Sequence, residues 1–453
     1  MSVINVGLSW FADSVRQQGK AVEHVDWRIP AGGDPGLVAA LTRLYGNERV
    51  AAANAEVVRR LDTGVPMLRD VAAAIEVVPG IDERTLLHCG PAIDWPDVCD
   101  PLRRSMRAAV VAEGWASDVD MAGLLLGGGE IRLAPANEHA MVVPMASAIG
   151  PSAPVYIVDG PASAFAPVSQ GPGDVAWFGR DTPGAIERLR FLRDVAGPVL
   201  GEVIRRAGPL DVFSLAAQGV AMGDDVHMRT QASTNLLIRT LLPGLVEAGR
   251  ADVARYLSGN HLFFLTIAMA AAKSVTLWAG EVPDASIVTT MARNGTTFGV
   301  RLPGAGWQVA EAPPVQEALY YPDQGPETSA RDIGDSAVLE LVGLGGPAAA
   351  GSPAVAAFLG GTMADARAAT EQLAEICVAE SSRFKLPTLD NRGTPLGVDV
   401  RRVVELGITP KVNTGILHAS DGSGQVGAGV ATAPLAPFAE ALLSLDTRLA
   451  PKP

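Results

Sequence analysis

The amino-acid sequence predicts a mixed α/β fold with an inserted, mainly helical region and a small N-terminal βαβ unit. Three observations lead to this prediction. Short apolar runs alternate with helix patterns over most of the chain, helix patterns dominate after residue 181, and a strand–helix–strand pattern opens the sequence. We set the boundaries at 1–46 (βαβ unit), 47–180 (α/β domain), 181–285 (helical region) and 286–453 (α/β domain).

The N-terminal segment has the pattern of a strand, a helix and a second strand. Residues 3–8 and 21–27 are predicted strands, and the helix pattern of residues 9–18 between them ends at Gly19. Glycine is favoured directly after a helix because it adopts a left-handed backbone without steric cost. The short links predict two parallel strands joined by a right-handed crossover.

One helix in the second segment is especially well marked. It begins at Asp100, and Pro101 takes the first helical position, where its missing N–H costs nothing. Apolar residues then recur every four positions, as expected for a helix with one face against a core. These residues are Leu102, Met106 and Val110.

Long periodic stretches over 225–242 and 253–278 predict the main helices of the helical region. Two runs of strand character then flank Asn294-Gly295, a dipeptide that favours a β-hairpin with a type I′ turn. In the last segment we predict a further strand near 398–404. Helices and strands therefore mix on both sides of the helical region.

Composition excludes several classes of protein. The chain has 453 residues and a formal charge of −13, and so few basic residues exclude the electrostatic footprint of nucleic-acid binding. Three cysteines without a C-x-x-C motif predict neither a disulfide framework nor a zinc site. No signal-peptide pattern is present, and the longest apolar run, 262–272, is shorter than the roughly 20 residues that span a bilayer. We predict a cytoplasmic protein without a membrane partner.

The richest polar segment lies between residues 218 and 229. Asp224, Asp225, His227 and Arg229 follow two glycines there. A helix beginning near Asp224 would put Asp224 and His227 on one face and pair Asp225 with Arg229, and its free N–H groups could hold an anion. The alternative is a plain N-cap with a surface ion pair.

The predicted hairpin carries a second candidate site at its tip. Arg293, Asn294 and Gly295 lie between threonine hydroxyls, and arginine suits planar carboxylates or phosphate. The alternative is a solvent-exposed turn in which Asn294 simply accepts a left-handed conformation. Both interpretations place these residues at the surface.

Two further segments combine glycines with polar side chains. Asp335 precedes a glycine-rich run at 343–346 that lacks the lysine and hydroxyl of a P-loop. Asn413 and His418 could position a polar substrate, or could belong to a strand with an ordered loop. No cofactor is predicted, and nothing in the sequence indicates a metal or other divalent ion.

Several of these motifs, taken in order, resemble one family. The motifs are Leu87-His88-Cys89-Gly90-Pro91, Met222-Gly223-Asp224-Asp225-x-His227-x-Arg229, Thr290-x-x-Arg293-Asn294-Gly295, Gly334-Asp335-Ser336 and Asp399-x-Arg401-Arg402-Val403-Val404-Glu405-x-Gly407. Together they resemble the AllG (YlbE/YahG-like) family, which is linked to oxamate carbamoyltransferase. Residues 1–46 are similar to a segment of FdrA-like proteins.

The resemblance implies a subunit of a carbamoyltransferase that moves a carbamoyl group between oxamate or oxalurate and phosphate. His227 is then the predicted general acid or base, with Asp224 and Asp225 beside it. Predicted substrate-binding residues are Arg229, Arg293, Asn294, Gly295, Asp335, Asn413 and His418. The implied partners are a small anionic substrate, phosphate or carbamoyl phosphate, an FdrA-like subunit and a second copy of the chain.

Two rival functions remain open on the sequence. An amide or cyclic-amide hydrolase could use the same anion pocket with water as the acceptor. A non-catalytic scaffold could use its apolar helices to assemble catalytic partners of a multi-subunit carbamoyltransferase.

Overall fold

A computed structural model describes residues 3–25, 27–357 and 361–450. The N-terminal unit and the helix that follows it are β1 (Val3–Val6), α1 (Ser9–Gln17), β2 (Val22–Val25) and α2 (Pro35–Tyr45). β1 and β2 pair in parallel from Val3 opposite Val22 to Val6 opposite Val25. The βαβ arrangement predicted from the sequence is therefore present.

The second segment contains two small sheets. Its elements are α3 (Glu48–Thr63), β3 (Met67–Ala73), α4 (Ala74–Val77), β4 (Thr85–His88), α5 (Asp100–Ala112), α6 (Val119–Gly127), β5 (Arg132–Pro135), β6 (Ala148–Ile149), β7 (Pro154–Asp159) and β8 (Ala164–Pro167). One sheet has the order β5-β4-β6, with β4 and β5 parallel. The other sheet contains β8, β7 and β3, which are antiparallel neighbours.

The helical region supplies most of the long helices. Its elements are α7 (Pro183–Phe191), α8 (Gly197–Ala207), β9 (Leu210–Asp211), α9 (Val212–Ala221), α10 (Gln231–Glu247), α11 (Ala251–Ser258) and α12 (Phe263–Gly280). The helix predicted to begin near Asp224 begins instead at Gln231. Asp225 binds backbone N–H groups of the loop before it, and Asp224 binds those of Ala232 and Ser233 in its first turn. β9 adds an edge to the sheet of β3.

The last segment is built from hairpins and short helices. Its elements are β10 (Thr290–Asn294), β11 (Thr297–Arg301), β12 (Gln308–Glu311), β13 (Val315–Tyr320), β14 (Ile333–Gly334), α13 (Pro353–Ala356), α14 (Met363–Ile376), β15 (Cys377–Leu386), β16 (Arg392–Val398), α15 (Val400–Leu406), β17 (Lys411–Leu417), β18 (Gln425–Thr432) and α16 (Ala436–Leu449). The sheets have the orders β12-β11-β10-β14, β13-β18-β17 and β15-β16. The mixed α/β class predicted from the sequence is confirmed.

Two local predictions in this segment are wrong. The hairpin of β10 and β11 exists, but Asn294 belongs to the strand and does not take a positive φ, so the type I′ turn is absent. The strand predicted near 398–404 is instead α15, because the Asp399 side chain accepts a hydrogen bond from the Arg401 N–H (2.9 Å) and caps a helix. Gly407 ends that helix at φ +65°.

α12 lies at the centre of the largest apolar cluster. This cluster also takes side chains from α3, α8 and α9, and from β15 and β16. The helix is long and apolar enough to cross a membrane by length and composition alone, yet 83% of its 18 residues are buried inside the protein. α12 is therefore the core helix on which the surrounding layers pack.

Candidate active site

A cavity of about 550 Å³ lies beside the N-terminal end of α12. Its wall combines apolar side chains with a few polar groups, as is typical of small-molecule sites. The lining residues used below are Met145, Trp177, Arg180, His227, His261, Tyr321, Ser336 and Gln425. Another depression, over α14, is lined by four carboxylates and one lysine and is poorly suited to an anionic substrate.

His227 lies on the loop between α9 and α10, and Asp225 fixes that loop. The buried Asp225 carboxylate accepts hydrogen bonds from the backbone N–H groups of His227 (3.2 Å), Met228 (3.2 Å) and Arg229 (2.7 Å). Asn413 Nδ2 donates a fourth hydrogen bond of 2.7 Å from β17. Burial raises the pKa of Asp225, against the effect of these donors. Asp225 and Asn413 therefore position His227 from behind the cavity wall.

Asp224 performs a different task from the predicted one. Its carboxylate accepts hydrogen bonds from the N–H of Ala232 (3.1 Å) and from the N–H and hydroxyl of Ser233 (2.8 and 2.9 Å), so it caps the start of α10. Nε of Arg229 lies 3.3 Å from the same carboxylate. The prediction that Asp224 shares a helix face with His227 is wrong, as is the ion pair predicted between Asp225 and Arg229.

Glu340 is the carboxylate that orients His227. Nδ1 of His227 lies 2.7 Å from Oε1 of Glu340, and both side chains are buried. Oε1 also accepts long hydrogen bonds from the N–H groups of Gly346 (3.3 Å) and Asn413 (3.4 Å). A Cβ on Gly345 would overlap Oε1, so the glycine-rich run encloses this pair.

The Nε2 atom of His227 is the free end of the imidazole. Among the described residues it has no hydrogen-bond partner, and His227 lines the cavity. A carboxylate on Nδ1 fixes the ring orientation and stabilises an imidazolium that forms during proton transfer. His227 can therefore accept or donate a proton at Nε2 inside the cavity.

Strained backbone surrounds the cavity at two places. Val226, directly before His227, has a φ of +63° although it is β-branched and fully buried. Met145, on the opposite loop, has a φ of +47°. Non-glycine residues rarely adopt such angles, and they concentrate at functional sites where surrounding contacts hold them. This observation independently favours the cavity as the functional site.

The remaining polar groups of the cavity come from four separate parts of the chain. Arg180 donates a hydrogen bond to the Ser423 carbonyl oxygen, and another of its nitrogens lies 3.3 Å from Asp174. His261 is exposed at the edge of the cavity, and the partial desolvation of its ring lowers its pKa. Ser336 and Gln425 add a hydroxyl and an amide. None of these residues was predicted as a binding residue from the sequence. Ser336 stands in the Gly334-Asp335-Ser336 motif, but Asp335 was the predicted residue there.

The Arg293 guanidinium is completely buried rather than exposed on a hairpin tip. It forms two hydrogen bonds with the Asp332 carboxylate (2.7 and 2.8 Å) and donates a third to the Gly334 carbonyl oxygen (2.6 Å). Nδ2 of Asn294 donates to the Pro91 carbonyl oxygen (3.0 Å). The surface location predicted for these residues is wrong, because a distant aspartate pairs with the arginine inside the core.

Gly90 packs directly against this hairpin. Its φ is +77°, and a Cβ there would lie 2.6 Å from the backbone nitrogen of Asn294. Asp335 holds the same region together, since its carboxylate accepts hydrogen bonds from the N–H groups of Gly90 (2.8 Å) and Val143 (3.0 Å). Burial raises the pKa of Asp335 to about 7. Asp335 thus supports its neighbour Ser336 rather than lining the cavity itself.

The other predicted residues lie away from the cavity wall. Arg229 lines a smaller surface pocket with Met222 and Gly223. Nδ1 of His418 accepts hydrogen bonds from the N–H groups of Ser420 (3.2 Å) and Asp421 (3.1 Å). Gly295 lies against Cys99. Of the ten predicted site residues, the structure places His227 on the cavity wall, with Asp225 and Asn413 directly behind it.

No metal centre is evident in the described part of the chain, where no group of three or more His, Cys, Asp or Glu side chains is arranged to hold an ion. The Asp174 carboxylate lines the cavity beside Arg180. The other polar groups of the wall include two imidazoles, a guanidinium, hydroxyls and an amide. Such groups bind anions and polarise carbonyl oxygens. The fold and site thus define a mixed α/β protein with a histidine–carboxylate pair at a cavity for a small molecule.

Comparisons with known proteins identify the family. A family model described as "Oxamate carbamoyltransferase subunit AllG" matches residues 131–336. The oxamate carbamoyltransferase subunit AllG of Escherichia coli (strain K12) is 37% identical over 408 residues, which cover 87% of this chain and 97% of AllG. The uncharacterized protein YahG of the same strain is 35% identical over 456 residues, covering 98% of this chain and 96% of YahG.

A solved structure confirms the fold. The crystal structure of a conserved protein of unknown function from Enterococcus faecalis V583 superposes with a TM-score of 0.86 at 34% identity. The match covers 89% of this chain and 99% of the Enterococcus faecalis chain. This chain belongs to the AllG/YahG-like family, as the motifs predicted. Its relation to AllG supports a subunit role in a carbamoyltransferase.

Proposed function

We propose that this chain is the subunit of a carbamoyltransferase that carries the reacting groups for transfer between a small ureide acid and phosphate. The reaction is oxalurate plus phosphate giving oxamate and carbamoyl phosphate, or its reverse. The single observation behind the proposal is the buried His227–Glu340 pair, with Nε2 free in the cavity of a chain similar to AllG.

The proposed step needs one proton carrier. A phosphate oxygen attacks the carbamoyl carbon of oxalurate, and a C–O bond forms. Nε2 of His227 takes the proton of the attacking hydrogen phosphate and returns it to the departing amide nitrogen of oxamate as the C–N bond breaks. Atoms and charge balance, and no oxidant or metal enters the step.

The cavity wall supplies groups suited to the rest of the substrate. Arg180 is about one-third exposed and can pair with a carboxylate or phosphate. The Ser336 hydroxyl and the Gln425 amide can donate to an oxygen that becomes negative in the tetrahedral intermediate. Trp177 and Tyr321 add aromatic rings to the same wall.

The test is an assay of the purified chain with oxalurate and phosphate, alone and with an FdrA-like protein from the same genome. Carbamoyl phosphate formed in either case supports the proposal. Consumption of oxalurate at the same rate without phosphate would favour an amide hydrolase instead. Activity of the assembly that survives loss of the His227 imidazole would favour a non-catalytic scaffold.

We further propose that the N-terminal βαβ unit contacts the FdrA-like partner. Ile4, Val6 and Val25 lie on the outward face of the two-stranded sheet, each 41–65% exposed. Trp10 and Phe11 of α1 stack on one another and are at least half exposed. A two-stranded sheet is only marginally stable alone, and exposed apolar patches of this kind mark interaction surfaces.

The double variant Ile4→Ser/Trp10→Ser should abolish co-purification with the FdrA-like protein, because it removes two large apolar side chains from the exposed face. Pull-down of the partner with tagged chain is the measurement. Leu124→Ser on α6 is the matched control, since Leu124 is 68% exposed elsewhere on the surface. Equal capture by all three proteins would contradict the contact. A change in self-association alone would assign the face to a second copy of the chain.

A further inference from the structure

A lysine lies inside the apolar core helix. Lys273 is halfway along α12 and its side chain is only 3% exposed. Among the described residues its ammonium donates hydrogen bonds only to Asn137, at 3.3 Å to the carbonyl oxygen and 2.9 Å to Oδ1. A buried ammonium without a carboxylate in contact is costly, because the hydration it loses is not replaced. Such a residue calls for an explanation beyond packing.

Lys273 lines a separate small cavity of about 180 Å³. Asn137 also lines this cavity, is 94% buried, and has an Nδ2 group without a hydrogen-bond partner. Arg301 of β11 and the hydroxyls of Thr276 and Thr289 complete the polar part of the wall. The residues that carry this ammonium, the unpaired amide and the guanidinium thus border one small space. Nε of Arg301 also donates to the Ala305 carbonyl oxygen (3.3 Å).

The charges of the wall favour an anion. Lys273 and Arg301 are close enough to repel each other, while the buried Asp335 lies on the Lys273 side and attracts it. Burial lowers the pKa of Lys273 to about 8, so the ammonium is still mostly protonated at neutral pH. Glu281, at the rim, is exposed and lies 3.1 Å from Arg60. An oxyanion in the cavity would lie between two cationic residues and beside the residue with the unpaired amide.

This cavity is distinct from the one that His227 lines. Leu265, which lines the His227 cavity, precedes Lys273 by eight residues on the same helix. At 1.5 Å per residue the two positions are about 12 Å apart along the axis. One small anion could not contact both, so the Lys273 cavity is not needed for the transfer step described above.

We propose that Lys273, Arg301 and Asn137 form a second binding site, for a small oxyanion that carries a carboxylate or a phosphate. Occupation of this site would tie α12 to β11 and to the segment that carries Asn137. Because α12 also borders the His227 cavity, the anion would stabilise the helix on which that cavity is built.

The test measures binding of inorganic phosphate and, separately, of oxamate by isothermal titration at fixed ionic strength. We expect Lys273→Met to weaken binding of one of these anions at least tenfold, and also to raise the Tm of the ligand-free protein. Arg301→Gln, at a partly exposed position, should weaken the same binding at least threefold without a folding defect. Arg392→Gln, which removes an exposed ion pair with Glu380, is the control and should bind as the parent chain does.

The two arms of the experiment identify the source of the oxyanion. Binding of phosphate that depends on Lys273 indicates a phosphate-bearing ligand. Binding of oxamate that depends on Lys273 indicates a carboxylate-bearing ligand. His227→Gln should keep this binding while losing transfer, so failure of the proposed function and failure of the second site are separable. Unchanged binding in both Lys273→Met and Arg301→Gln, or no binding of either anion, would overturn the proposal.

Discussion

His227→Gln should lower kcat/KM for carbamoyl transfer by about 10²–10⁴, the usual contribution of a positioned general acid–base group. Glutamine keeps a hydrogen-bonding side chain of similar length beside Glu340 but cannot shuttle a proton. The KM for oxalurate should change much less than kcat, because the imidazole acts on the reacting bonds. Steady-state release of carbamoyl phosphate, with the partner subunit present if it is required, is the measurement.

Glu340→Gln tests the orientation of the imidazole. The carboxylate lies 2.7 Å from Nδ1 and stabilises positive charge on the ring. We therefore expect Glu340→Gln to fold but to lose a large part of the kcat/KM that depends on His227. The matched control is His261→Gln, since His261 borders the same cavity without such a carboxylate contact among the described residues. Equal losses of activity from His227→Gln and His261→Gln would show that the shape of the cavity, and not proton transfer by His227, determines the rate.

Only His227 of the His227–Glu340 pair was predicted as a site residue from the sequence. The segment around His227 was found because titratable residues cluster there after two glycines. Glu340 was missed because it lies 113 residues further along the chain and stands in an apolar run. Pairing over such a separation is set by tertiary packing, which local periodicity does not encode. The same limit explains why spacing alone did not show that the glycines at 343–346 enclose Glu340.

Local signals predicted elements better than they predicted burial. The βαβ unit and the hairpin of β10 and β11 were predicted because strand pairing over short links depends on nearby residues. The helix of α15 was missed because the capping role of Asp399 outweighs the strand character of its valines. Asp224 and Asp225 were found as a polar cluster. Spacing did not show that Asp225 binds N–H groups of the loop while Asp224 caps α10 from seven residues before its start.

Arg293 shows how far burial can reverse an interpretation. An arginine beside Asn-Gly indicates an exposed turn, yet both Arg293 and Asp332 have fully buried side chains. The pair joins β10 to the segment before β14, and the third hydrogen bond, to the Gly334 carbonyl oxygen, fixes the residues that lead to Ser336. Arg293 therefore contacts the segment that leads to Ser336 and does not line the cavity, and its predicted contact with substrate stays a prediction.

Arg293→Met should destabilise the protein by about 3–5 kcal/mol, because it leaves the Asp332 carboxylate buried without its partner. The urea midpoint of the first unfolding transition and the Tm are the measurements. The double variant Arg293→Met/Asp332→Leu should recover much of this loss, since replacing both charges by apolar groups removes the unpaired carboxylate. Arg392→Met, which breaks the exposed pair with Glu380, is the control and should cost about 0–1 kcal/mol.

The activity of the double variant distinguishes a structural role of Arg293 from a contact between Arg293 and the substrate. If Arg293 acts only by fixing β10 and β14, the double variant should regain transfer activity roughly in step with its regained stability. If Arg293 contacts substrate, the double variant should fold yet keep a strongly raised KM for oxalurate. A single variant that is inactive but as stable as the parent chain would contradict the buried ion pair itself. Stability and the KM for oxalurate must therefore be measured on the same preparations. Recovered stability with a KM that stays raised indicates a contact with substrate, and recovery of both indicates a structural role.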